Sequence, residues 1–150
     1  MMTTTKGIRQ AERFDSLFRY YARPPIDWQW LRAQARAESG SDINPRAISS
    51  TGAQGLAQFM PATWAEWSKG NDPFNPEHAI MTQAAYMEWL AERQGGDRLQ
   101  ATAAYNCGVG RLGRIISTHQ GDWRRQIPRE TRTYLDRIEM YYKEAYSWTF

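Results

Sequence analysis

The sequence predicts a mainly α-helical single domain. Three observations carry that prediction: apolar residues recur at three- and four-residue steps, proline and cap residues punctuate those stretches, and no segment sustains a period-two alternation. A first helix is expected from about Ile8 to Ala22, stopped by Pro24 and Pro25. Asp27 reads as the N-cap of a second helix, which spaces Trp28, Leu31, Ala35 and Glu38 along one face and ends at Gly40. From Ser39 to Gln58 the helical period gives way to Ser, Asn, Pro, Thr and Gly, which predicts loop with a small β-hairpin excursion near residues 46–58. Pro61 then opens a short helix bearing Trp64 and Trp67. Asn75 and Pro76 repeat that start and lead into the stripe Ile80, Ala84, Met87 and Ala91. Two shorter helices follow, around Arg98–Asn106 and Gly110–Thr118. Pro128 opens the last, whose stripe is Tyr134, Ile138, Tyr141 and Ala145.

The 150 residues suit one domain, taken as residues 1–150, and contain no internal repeat. At 41% hydrophobic and 23% charged residues, the chain can build a packed core. No apolar run approaches the roughly 18 residues of a membrane span, so no integral membrane segment is expected. Met1–Gln10 lacks the apolar core of a secretory signal. The single cysteine rules out an internal disulfide. The net charge of +3 comes from 16 arginines and three lysines against 16 acids, an excess that favours an anionic partner such as nucleic acid, an acidic membrane or a wall polymer. The arginines are spread through every segment rather than gathered on one basic face, which argues against nucleic acid. Most of the 7 Trp, 8 Tyr and 5 Phe are expected in the core, with a minority lining a groove.

Ordinary catalytic signatures are missing. His78, His119 and Cys107 have no metal-ligand spacing, so neither metal nor cofactor is expected. Gly108–Gly113 matches Gly-x-Gly-x-x-Gly, but a helix rather than a strand precedes it, so the match is chance. Glu38 stands apart because it lies on the apolar face of its helix. A buried glutamate–arginine pair or an exposed helix end would give the same pattern. The position also suits a general acid: the negative end of the helix dipole disfavours ionisation by roughly 0.3–1 kcal/mol. Desolvation by aromatic neighbours acts in the same direction, and a protonated carboxyl is what acetal cleavage needs.

The segments after the glutamate resemble a known family. Glu38-Ser39, then Gly52-Ala53-Gln54-Gly55-Leu56-Ala57-Gln58 and Met60-Pro61, are similar to the Glu-Ser, Gly-x-x-Gly-Leu-x-Gln and Met-Pro elements of soluble lytic transglycosylases. Ala104-Tyr105-Asn106-Cys107-Gly108 and Glu130-Thr131-Arg132-Thr133-Tyr134 resemble two later motifs of that family, in the same order. Together they cover about residues 28–138. Ala57 stands where methionine is usual, Cys107 where a small apolar residue is usual, and the Glu38–Pro45 segment is slightly longer.

The resemblance implies a lysozyme-like helical bundle that cleaves peptidoglycan glycan strands between N-acetylmuramic acid and N-acetylglucosamine, leaving 1,6-anhydro ends. It implies Glu38 as sole catalytic acid and base. It matches Ser49, Gly55, Gln58 and Met60 to sugar-binding positions, Tyr105 and Glu130 to positions beside the acid, and Asn106 and Tyr134 to further motif positions. Read without the resemblance, Gly52 and Gly55 are also plain turn glycines and Tyr105 a core tyrosine. Two other readings remain at this stage. One is a goose-type lysozyme adding water, with Asp42 as a second carboxylate. The other is a non-catalytic wall-binding domain. A wall substrate without a secretory signal leads us to expect a phage or prophage product, released at lysis or carried in the virion, or a protein delivered by a secretion machine. The sequence specifies no oligomeric state.

Overall fold

A computed structural model describes residues 9–147. Met1–Ile8, which hold the expected start of the first helix and most of the segment read for a signal, lie outside the described residues, as does the side chain of Ala145. Among the described residues eight α-helices follow one another: α1 (Asp15–Tyr21), α2 (Trp28–Ser39), α3 (Pro61–Ser68), α4 (Pro76–Arg93), α5 (Arg98–Cys107), α6 (Val109–His119), α7 (Trp123–Gln126) and α8 (Arg129–Ser147). A 3-10 turn at Glu12–Phe14 interrupts the expected first helix, and α7 was not foreseen. Among the described residues none of these helices is long and apolar enough to cross a membrane.

The central element is α2, which packs along α8 and α1, while α5 joins α4, α6 and α8. Its seven residues from Trp30 to Arg36 are all buried, so it is enclosed on every side rather than on the single apolar face its spacing suggested. The polar members tolerate this because each finds a partner. Arg32 is paired with Asp15 at 2.8 Å, and Arg36 donates to the Ser41 carbonyl at 2.7 Å and faces Glu144 at 3.5 Å. Trp30 donates its indole N–H to Thr102 at 3.0 Å.

Asp27 occupies the N-cap position of α2, but its side chain makes no cap bond. Its carboxylate instead accepts from Arg98 at 2.7 Å and from the Tyr142 hydroxyl at 2.9 Å. A charge-assisted tertiary pair is stronger than one local amide bond, so the side chain turns away from the helix. Asn75 does cap α4, accepting from the His78 amide at 3.0 Å. The stripe Ile80, Ala84, Met87 and Ala91 is buried throughout.

The β excursion reduces to two isolated antiparallel bridges, Ile48 with Gln54 and Gln54 with Phe59. They fold residues 46–60 into two successive tight turns. Gly55 has φ +80°, and a Cβ there would lie 2.0 Å from the Pro73 carbonyl oxygen, so this position accepts no side chain. Gly108 joins α5 to α6 with no strand before it, consistent with the Gly-x-Gly-x-x-Gly match being chance.

Candidate active site

Glu38 lies in the last turn of α2, which stops at Gly40, where φ is +113° and the amide bonds back to Arg36 at 3.0 Å. A cleft of about 420 Å³ opens beside it, lined by Ala37, Glu38, Asn106, Arg129, Glu130, Thr133, Tyr134 and Arg137. Three helices thus contribute: the end of α2, the end of α5 and the first turns of α8. By surface Glu38 is half-buried, because the residue meets solvent through the cleft, yet its carboxyl sits in dense surroundings. Those surroundings govern ionisation. Burial pushes the carboxyl up to about 8; a hydrogen bond from Tyr134 works against this and the nearby Glu130 charge works with it. No arginine is ion-paired with Glu38 among the described residues, which removes the structural-pair explanation of its burial.

Tyr134 is 6% exposed, and its hydroxyl oxygen accepts from Gln34 Nε2 at 3.0 Å. With that lone pair occupied, the phenolic proton is available to Glu38. Burial raises the Tyr134 phenol well above its ordinary value, so it remains a donor. Gln34 is itself fixed, since its Oε1 accepts from Gln83 Nε2 at 3.0 Å, which also donates to the Leu31 carbonyl at 3.1 Å. The network runs from the α4–α2 core to the acid.

Tyr105 also feels Glu38 electrostatically, its phenol raised well above the ordinary value by burial first and by Glu38 second. Its hydroxyl donates to the Ala57 carbonyl at 2.7 Å and so ties α5 to the 46–60 segment. Its ring meets Phe59 at 5.6 Å and Tyr86 at 5.4 Å, an aromatic wall that keeps water from this flank.

The remaining residues singled out in sequence divide into two groups. Asn106 and Glu130 line the cleft with Glu38 and Tyr134; Glu130 is exposed, and Asn106 Oδ1 accepts from Thr131 at 2.8 Å. Ser49, Gly55, Gln58 and Met60 lie in the 46–60 segment and do not line this cleft. Ser49 Oγ accepts from the Ala53 amide at 3.0 Å. Gln58, at φ 54°, donates to the Ala47 and Gly55 carbonyls at 3.1 and 2.8 Å. These contacts hold the segment's shape. Met60 is 45% exposed at the start of α3. Asp42, the second carboxylate of the goose-type reading, is exposed and is not a cleft residue.

Sequence reasoning missed Gln34, Thr133, Arg129 and Arg137. Gln34 was detectable, being one helical turn before Glu38 on the same face. Arg129, Thr133 and Arg137 carry no local signal, since charged and polar residues on a terminal helix are usually solvated. Cys107 ends α5 and His119 ends α6, so a helix about 15 Å long runs from beside the one to the other, too far for a thiol–imidazole pair. Burial also raises the Cys107 thiol, away from thiolate chemistry. Among the described residues no group of three or more His, Cys, Asp and Glu is placed to hold a metal ion.

Over 94 residues the chain is 43% identical to a membrane-bound lytic murein transglycosylase F of Maricaulis maris, an alignment covering 59% of this chain and 20% of that protein. It is 34% identical over 131 residues to the peptidoglycan transglycosylase gp16 of Escherichia phage T7, covering 81% of this chain and 10% of that protein. The fold is similar to the 70-kDa soluble lytic transglycosylase of Escherichia coli, with a TM-score of 0.77, 30% identity, and coverage of 89% of this chain and 24% of that one. The chain therefore spans about a fifth or less of these curated relatives. The family profile described as the transglycosylase SLT domain matches residues 16–127, three quarters of the chain, and on that match, with the lysozyme-like helical fold, the chain belongs to the SLT transglycosylase domain family.

Proposed function

We propose that this chain is a peptidoglycan lytic transglycosylase with Glu38 as its single acid and base, acting as one catalytic domain whose motif-bearing part is about residues 28–138. One observation carries the proposal: the buried Glu38 carboxyl, raised to about 8 by its surroundings, faces an open cleft and receives the Tyr134 hydroxyl as a donor. At neutral pH such a group can protonate the glycosidic oxygen.

In the first step Glu38 gives its proton to the O4 leaving oxygen as the bond to muramoyl C1 breaks and positive charge develops there. Glu38 is then a carboxylate, stabilised by Tyr134 and close to the cationic sugar. In the second step the muramoyl C6 hydroxyl attacks C1, and its proton passes to Glu38. The 1,6-anhydro ring closes without water, and the acid is restored. An internal nucleophile needs no second carboxylate, and its proximity supplies a large part of the rate. Tyr105, Asn106, Glu130 and Tyr134 would surround the reacting unit. Ser49, Gly55, Gln58 and Met60 would shape the adjoining sugar subsites, the first three by setting backbone positions. The partner is the glycan strand and no cofactor is required. Action at the cell wall follows, and the similarity to a phage T7 protein supports a phage or prophage origin.

Mass analysis of glycan digested by the purified chain tests this reading. Anhydro ends, one water lighter than reducing ends, are expected. Reducing ends throughout would assign a hydrolase instead, with Glu130, the other acid in the cleft, as the carboxylate to examine.

A further inference from the structure

We propose that Arg129 and Arg137 form a carboxylate-reading wall of the Glu38 cleft and select glycan strands that still carry their anionic peptide stems. The inference rests on the glycan-strand reading above and adds the part of the substrate that this face recognises. Both arginines line the cleft from α8 and both are exposed. Among the described residues neither side chain takes part in a hydrogen bond or an ion pair. Arg32, Arg36, Arg98 and Arg124, by contrast, each face a carboxylate of their own. Arg46, Arg114 and Arg132 are likewise without a carboxylate partner among the described residues, but Arg129 and Arg137 are the arginines that line the Glu38 cleft, where they can meet an external anion.

The rest of the wall has the same polarity. Thr131 occupies Asn106 Oδ1, which leaves the Asn106 amide hydrogens as donors toward the cleft. Glu38 is neutral below about pH 8, so Glu130 is the one negative lining residue against two guanidinium groups. A guanidinium binds a carboxylate through two parallel N–H bonds, a geometry that a neutral sugar hydroxyl does not offer.

The uncharged sugar rings of the strand give these arginines no anion to bind. Carboxylates enter with the peptide on the lactyl group, or with the bare lactyl acid once that peptide is removed. Spacing favours the peptide. Arg129 and Arg137 are eight residues apart on one helix, about 12 Å along its axis, the length of three to four extended peptide residues.

The test measures binding by titration calorimetry in an E38Q background, where strands stay intact. Three probes are used: native peptide-bearing strands, the same strands with stem carboxylates converted to carboxamides, and amidase-stripped strands. E38Q is expected to bind native strands about tenfold more tightly than either modified form, and adding R129Q and R137Q should bring all three within about twofold. Adding R129K and R137K instead should retain part of the preference, because charge survives while the bidentate fork is lost. Equal affinity of E38Q for native and carboxamide strands overturns the proposal, as does a preference that persists in the double arginine variant. Full affinity for stripped strands overturns the stem assignment in favour of the lactyl carboxylate. Absence of binding to every strand defeats the glycan-strand reading itself, a result distinct from binding without selectivity.

Discussion

The 46–60 segment and the α2–α8 seam both carry family motifs, yet they use them differently. In the segment, Ser49 and Gln58 direct their side chains at backbone amides and carbonyls, and Gly55 leaves room for the Pro73 carbonyl. At the seam, Glu38, Glu130 and Tyr134 line a cleft, and the bonds that fix Tyr134 come from behind it, through Gln34. The segment is held by local bonds because it has almost no regular ladder of its own. The seam is held by helix packing, which frees its polar groups for a ligand. A motif therefore mixes scaffolding with chemistry, and only the partners of each side chain separate the two.

The widest gap between the regions should appear on removing the acid. E38Q is expected to lower glycan cleavage by about 10³-fold or more, read as release of anhydro products, since general acid catalysis contributes on that order. The variant should nevertheless be more stable than the parent. The parent keeps its proton when folded up to about pH 8 but loses it near 4.5 when unfolded, so its stability falls as pH rises between those values and levels off above them. The advantage of E38Q in Tm should grow across the same window to roughly 10 °C. An advantage that is flat with pH would contradict the raised carboxyl.

In the segment the opposite balance is expected. Gly55→Ala forces a left-handed φ on alanine and places its Cβ against the Pro73 carbonyl, which should cost about 3 kcal/mol of folding stability by denaturant titration. Activity should drop with the loss of folded protein. A variant of parental stability with no activity would instead make Gly55 part of the chemistry.

Two smaller effects at the seam should differ in sign. The alkaline limb of the pH–rate profile reports ionisation of Glu38. Tyr134→Phe removes the bond that lowers the Glu38 value, so that limb should move to higher pH, with a stability loss of about 1–2 kcal/mol because Gln34 loses its oxygen acceptor. Glu130→Gln removes a charge that raises the Glu38 value, so the limb should move slightly to lower pH. Shifts in the same direction for both variants would refute this account of the acid's surroundings.

Much of the helical order was legible in sequence because its signals are local. Pro61, Pro76 and Gly40 mark helix ends within one turn of where they occur, and the α4 stripe is buried as its spacing predicts. Asp27 shows the limit. It has the residue type and backbone of an N-cap, but Arg98 and Tyr142, distant in sequence, take its carboxylate. α2 was expected to hide one face and is enclosed on all sides, because partners from α1, α4 and α8 pair with its buried Arg32 and Gln34.

The chain alone determined where most of its helices begin and end and which carboxyl sits at the close of the second one, since caps, prolines and residue spacing act over a few positions. Tertiary structure decided what that carboxyl does. Whether a glutamate keeps its proton depends on which atoms replace water around it, and here Tyr134, Tyr105 and Glu130 arrive from elements up to about a hundred positions away. Such long-range replacement of solvent leaves no mark on local sequence pattern, and it is the source of the site's chemistry.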